Sequence, residues 1–436
     1  MRYLPLLGLL LLIGVALGAP YGFGLVAESR FSHVVGTLST RDEDSWRLRL
    51  VDYDRGYLSA RAKTELIPPK NSDGKAVPTS PILLETRLAH GVTGVRAITR
   101  LAEERSAALA VLFPGQKPRL RLEAGISGNL DGRLVIPAFD WSPETEVPVL
   151  SGTEGSVEEL TMTLDWQRGG EHNLGLDWPG LVMQLGAAEL RVEEVNLDHR
   201  LTPLRENLWE GRSHLRVERV IFDPVLADPV VTREASVRFE SSEEDGYLNG
   251  DLSVAVESLE TEMEDFGRQV FKWRARSLHV SSLDSVLDDM MALQRLRVSR
   301  DGDLSERGNS EMKRYRSLSR GLQRLSSHGG QMAVPEVLVR LPEGRIEGQM
   351  MLSYPRRPAP ERDEPVSLLR HASGEGVVIM DPDMRWLLPE TAKVLLKRLE
   401  RRDIIDGSNG VYHLDLRLED MTLRLNDKVL EVPPLL

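Results

Sequence analysis

Two-residue alternation of apolar and polar side chains recurs along this chain of 436 residues and constrains its fold more than any other feature. In residues 57–66, Leu58, Ala60, Ala62, Thr64 and Leu66 fall on one side, and Tyr57, Ser59, Arg61, Lys63 and Glu65 on the other. The same period runs through 46–50, 120–126, 160–166, 235–240, 346–352 and 412–419. Period two places successive side chains on opposite faces of a strand. Strands with one dry and one wet face belong to antiparallel sheets, because parallel sheets are buried on both sides. Asp54-Arg55-Gly56, just before one such run, reads as the bend of a hairpin rather than as chemistry. Gly56-Tyr57-Leu58-Ser59 has an echo in Gly246-Tyr247-Leu248-Asn249, which occupies a similar place before a second run.

Helical spacing is confined to a few stretches. Ile98, Leu101, Ala102, Arg105, Ala108, Leu109 and Leu112 fit one stripe. Leu283, Val286, Leu287 and Met290 fit another, behind Ser281 as N-cap with Asp284 three residues on. Met312, Tyr315, Leu318, Leu322 and Leu325 fit a third, and Ala392, Leu395, Leu396 and Leu399 a fourth that opens near Pro389. Residues 67–81 and 353–366 read as Pro-rich loops, and 299–311 as an exposed polar loop. The expected organisation is a membrane anchor at 1–27 and two β-rich domains at 28–205 and 206–436.

Residues 3–27 carry no charge; Arg2 precedes them and Glu28 follows. About 20 apolar residues span a bilayer. A cleaved signal peptide is the rival reading, with Ala16-x-Gly18 as the cleavage site. Pro20 beside that site, and the continuing uncharged run, favour an anchor. With Arg2 inside, the bulk of the chain lies outside the cytoplasm. Gly14, Gly18 and Gly22, spaced by four, form a small-residue stripe compatible with a homodimer of anchors. Gly22-x-Gly24-x-x-Ala27 lacks the strand before it that a dinucleotide fingerprint needs.

No cysteine is present, which excludes disulfides, Cys-ligated metals and a thiol nucleophile. A net charge of −12 argues against nucleic acid as a partner. The nine histidines form no metal spacing; His413-x-Asp415 shares a wet strand face, and His90 is a lone histidine beside Gly91. No Gly-x-Ser-x-Gly elbow or phosphate-cradling loop occurs. Hence no catalytic, cofactor or metal residue is assigned. The seven tryptophans read as core anchors.

Short motifs carry a resemblance. Glu28 and Phe31 after the leader, Tyr53-Asp54-Arg55-Gly56-Tyr57-Leu58-Ser59, and His90-Gly91 resemble those of the YdgA-like family of bacterial proteins. So do 207–220 and the closing hairpin at 410–433, with Asn426-Asp427 at its turn. Val92 stands where that family usually has proline. The resemblance implies a single-pass protein of the bacterial inner membrane with a β-rich body in the periplasm, and no established reaction. The expected fold is therefore α+β and β-rich: an N-terminal transmembrane helix, extended antiparallel sheets and a few packing helices. The expected function is non-catalytic binding of an apolar ligand such as a lipid, or of an envelope protein. The alternative is a carboxylate-dependent hydrolase acting on an envelope polymer or lipid.

Overall fold

A computed structural model of the chain describes residues 25–29, 31–33, 35–36, 39, 46–67, 81–102, 112–145, 150–298, 304–358, 371–405 and 410–431, less single positions 92, 114, 151 and 420. Of the anchor expected up to residue 27, only Leu25, Val26 and Ala27 are described, as helix; Gly14, Gly18 and Gly22 lie outside the described residues. Among the described residues no helix is long and apolar enough to cross a membrane. The described residues are β-rich, as the alternation requires, and twenty-one strands among them share one sheet.

Two compact units divide the chain, Met1–His199 with Arg219–Pro229, and Arg200–Glu218 with Val230–Leu436. In the first unit, β1 (Arg47–Arg55), β2 (Ser59–Ile67), β3 (Ile82–His90), β4 (Gly94–Leu101), β5 (Arg119–Gly125) and β6 (Leu130–Ile136) form an antiparallel meander. β7 (Phe139–Trp141) continues the line of β6, and β8 (Glu154–Val157) leads into β9 (Leu160–Trp166). The two interrupted lines pair with each other, Ile136 opposite Leu160 and Phe139 opposite Val157. Both β8 and β9 pair with β10 (His172–Leu185). The breaks at Pro137 and Glu158 line up with Gly180, whose carbonyl accepts the Glu158 N–H at 3.0 Å. Proline cannot donate to a ladder, so the break falls where one donor is missing. Trp141 is buried here with Leu112 and Phe113, and its indole N–H donates to Thr153 Oγ1 at 3.0 Å.

The helical stripe expected from Ile98 is overturned in its first part, since Ile98 and Leu101 lie in β4. Val95, Ala97, Thr99 and Leu101 pair with the dry positions Ala124, Leu122, Leu120 and Leu84, so sheet pairing wins over helical spacing. Ala60, Ala62 and Leu88 form the buried centre of this dry face, and Ala27 and Phe31 pack against it. Two alanines in a row on β2 leave the room that the Phe31 ring fills.

β11 (Ala188–Pro203) and β12 (Trp209–Asp223) each contribute residues to both units. In the second unit, β13 (Val230–Glu244), β14 (Tyr247–Glu260), β15 (Asp265–His279), β16 (Gly330–Leu341), β17 (Gly344–Tyr354), β18 (Ser373–Met380), β19 (Tyr412–Glu419), β20 (Thr422–Leu425) and β21 (Lys428–Glu431) pair in sequence order, all antiparallel. Asp245 and Gly246, with φ of 53° and 82°, make the two-residue turn between β13 and β14. Both echoed segments thus sit at hairpin turns.

Three helices form where helical spacing predicts them: α1 (Val280–Val298), α2 (Leu304–Ser327) and α3 (Glu390–Arg401). α2 begins at Leu304, inside the stretch 299–311 that reads as a loop; Leu304, Glu306, Arg307 and Glu311 are good helix formers. Asp284 does not act through a capping box here but accepts hydrogen bonds from Asn207 at 3.3 Å. Leu283, Val286, Leu318, Leu322 and Leu325 pack on Trp273, Ala275 and Leu278 of β15. Leu396 and Leu399 of α3, with Met384, Ile404 and Ile405, pack on Met380, Tyr412 and Leu425. Both groups cover the dry face of the same sheet.

Candidate functional site

Between these two covers, part of the second unit's dry face stays open. The pairing register aligns Val237, Val254, Phe271, Val337 and Gly348 straight across β13 to β17. A second row holds Phe239, Leu252 and Trp273, and Val334 pairs with Met350. Val237, Val254, Phe271 and Met350 are 37%, 38%, 41% and 51% exposed. Gly348 interrupts the row, and a Cβ there would stand 2.9 Å from the Val377 carbonyl. Single exposed apolar residues are ordinary; a contiguous row across five strands is a binding-surface signature.

The opposite face of these strands is polar. Asp251 accepts from Arg274 at 2.9 Å and from Arg276 at 2.7 Å. A groove of about 750 Å³ is lined by polar Gln331, Gln349, Glu375, Asp415, Arg417 and Arg424 and by apolar Val334, Pro335, Met350 and Met351. His413 and Asp415 stand 3.8 Å apart on exposed strand surface, where the alternation puts them. Burial pulls the Asp251 carboxyl upward, but the hydrogen bonds from Arg274 and Arg276 outweigh it and hold it below the usual range. Hydrogen bonds from Arg121, Lys272 and Lys393 likewise lower Glu123, Glu336 and Glu390. A general acid of a glycoside hydrolase is shifted the other way.

The motif residues near the N-terminus converge in the first unit. Arg55 donates to Glu28 at 2.7 Å, and the Phe31 and Tyr53 rings lie 5.9 Å apart. His90 is buried, and neither ring nitrogen meets a partner at hydrogen-bonding geometry. Burial lowers its pKa; the Tyr57 main chain opposes this, and Arg55 adds to it. This cluster joins Glu28 and Phe31 to the first hairpin, and His90 also lines a recess of about 350 Å³ with Arg96, Glu123 and Asp131. Of the tryptophans expected in the core, only Trp141 is fully buried; Trp46, Trp166, Trp209 and Trp386 are exposed. Phe271 was not signalled by the sequence as part of a surface, because its strand alternates like any other. No cluster of His, Asp and Glu that could hold a metal occurs among the described residues.

The architecture defines an antiparallel β protein whose dry face is partly roofed by helices and partly open. The chain belongs to the family described as a bacterial protein of unknown function, DUF945, whose model matches residues 4–432. No curated protein and no solved structure matches it.

Proposed function

We propose that the protein is a non-catalytic binding module of the bacterial envelope, and that it holds a single acyl chain along the strip from Val237 to Met350. The carrying observation is the exposed apolar register across β13–β17. Four inter-strand spacings of about 4.8 Å make this strip about 19 Å long. One acyl chain spans half of a hydrocarbon core, about 15 Å. Length and apolarity therefore suit a lipid tail.

The uncharged leader and the likeness to the YdgA-like family support the rest of the reading: an anchor over residues 3–27 in the inner membrane, and the bulk of the chain in the periplasm. Gly14, Gly18 and Gly22 would serve pairing of two anchors. Titration with a fluorescent fatty acid tests the proposal. Phe271→Glu and Val254→Glu should abolish saturable binding while the melting temperature holds. Unchanged binding in both variants would refute it.

A further inference from the structure

The first unit's wet face carries a different kind of row. Arg61, Arg87, Ile98, Arg121 and Arg133 stand directly opposite one another on β2 to β6. In the row beside it, Arg100 of β4 stands between Glu85 of β3 and Arg119 of β5. Like charges directly opposed in a sheet destabilise it. Some of this repulsion is answered locally: Arg87 donates to Glu85 at 3.2 Å, and Arg96 and Arg121 donate to Glu123 at 2.8 Å and 2.6 Å. Arg100 and Arg119 have no ion-pair partner among the described residues. Residues 115–117 and this pair line a shared recess of about 360 Å³. Arg100, Gln116, Lys117, Arg119, Val135 and Pro137 line it, and no carboxylate does so among the described residues. Such a lining stands out in a chain of net charge −12.

We propose that this recess binds a phosphate group. The Arg100 and Arg119 side chains line one small volume, and guanidinium geometry matches phosphate oxygens two at a time. An anion there relieves the repulsion between Arg100 and Arg119, so ligand binding and sheet stability reinforce each other. The phosphate arrives either free in solution or as a lipid headgroup. This site is independent of the apolar strip, since it rests on other residues of the other unit.

The test titrates the full-length protein with inorganic phosphate and with dihexanoyl-phosphatidate below its micellar concentration. Wild type should bind with saturation. Arg100→Gln with Arg119→Gln should weaken binding by about tenfold or more, from lost charge-assisted hydrogen bonds. Arg61→Gln with Arg133→Gln, on the same face outside the recess, should stay within about twofold. Arg119→Lys keeps the charge and removes the fork, so it weakens binding even if the double variant fails to fold. Tighter binding of the phosphatidate assigns the ligand to lipid, and equal binding assigns it to free phosphate. The proposal falls if neither probe saturates, if the recess variants bind as wild type does, or if the Arg61 and Arg133 pair loses as much.

Discussion

Arg55, in the last position of β1, donates to Glu28 at 2.7 Å and so ties the start of the folded body to the turn of its first hairpin. The pair is partly exposed, and such pairs contribute about 0–1 kcal/mol. The Phe31 ring, packed on Ala60, Ala62 and Leu88, carries more of the attachment. Glu28→Gln should therefore change stability little. Phe31→Ala should cost about 1–3 kcal/mol and speed amide exchange in β2. Equal effects of the two substitutions in denaturant unfolding would contradict this ranking.

His90 predicts a pH dependence. Its folded pKa is lowered, chiefly by burial, so the unfolded chain takes up the proton first as pH falls. Stability contributed by the neutral ring is then complete above about pH 6.5 and is lost progressively below it. His90→Leu should flatten part of the decline in unfolding free energy between pH 7.5 and 5. Burial also lowers His199 and His279, so a residual slope should persist. A slope identical to wild type would show that His90 does not titrate on unfolding.

Gly94 opens β4 at φ 151°, and a Cβ there would stand 2.1 Å from the Ala124 carbonyl oxygen. Gly94→Ala combines a disfavoured backbone with a collision that flexible atoms cannot relieve. A loss of about 2 kcal/mol or more is expected in chemical denaturation, and a wild-type midpoint would contradict the close approach of β4 and β5.

Asn426 holds the last hairpin. Its φ is 52°, its side-chain oxygen accepts the Asp415 N–H at 2.7 Å, and its amide donates to Ile404 and His413 carbonyls at 2.8 and 3.0 Å. Asn426→Gly keeps the turn conformation and loses three hydrogen bonds; Asn426→Ala loses both. The glycine variant should cost about 1–3 kcal/mol and the alanine variant more. Equal losses in thermal melts would mean that the turn conformation matters less than its contacts.

The strands were legible because period two survives in 57–66, 160–166 and 412–419, where one face meets water along most of its length; Glu65, buried against Arg49, is the exception in the first. Ile98 and Leu101 misled because a short apolar stretch fits either period, and only its neighbours on β3 and β5 decide. The 304–311 turn of α2 was hidden by Gly308 and the charges around it. The open strip was not legible for a different reason. Val254 and Phe271 alternate just as Ala275 does, yet α1 and α2 roof Ala275 and leave Phe271 open. Which stretch of a dry face is covered depends on where helices distant in sequence come to rest. The Arg100 and Arg119 pairing was equally hidden, since register across a gap of 17 intervening residues is set by folding.

The most direct test of acyl binding is crosslinking in living bacteria with a photoactivatable diazirine fatty acid, followed by mass spectrometry of the purified protein. Adducts should map to β13–β17, centred on Val254, Phe271 and Met350, and should vanish in Phe271→Glu. Absence of adducts, or adducts that lie elsewhere and persist in that variant, would contradict the assignment of the strip as a lipid-tail site.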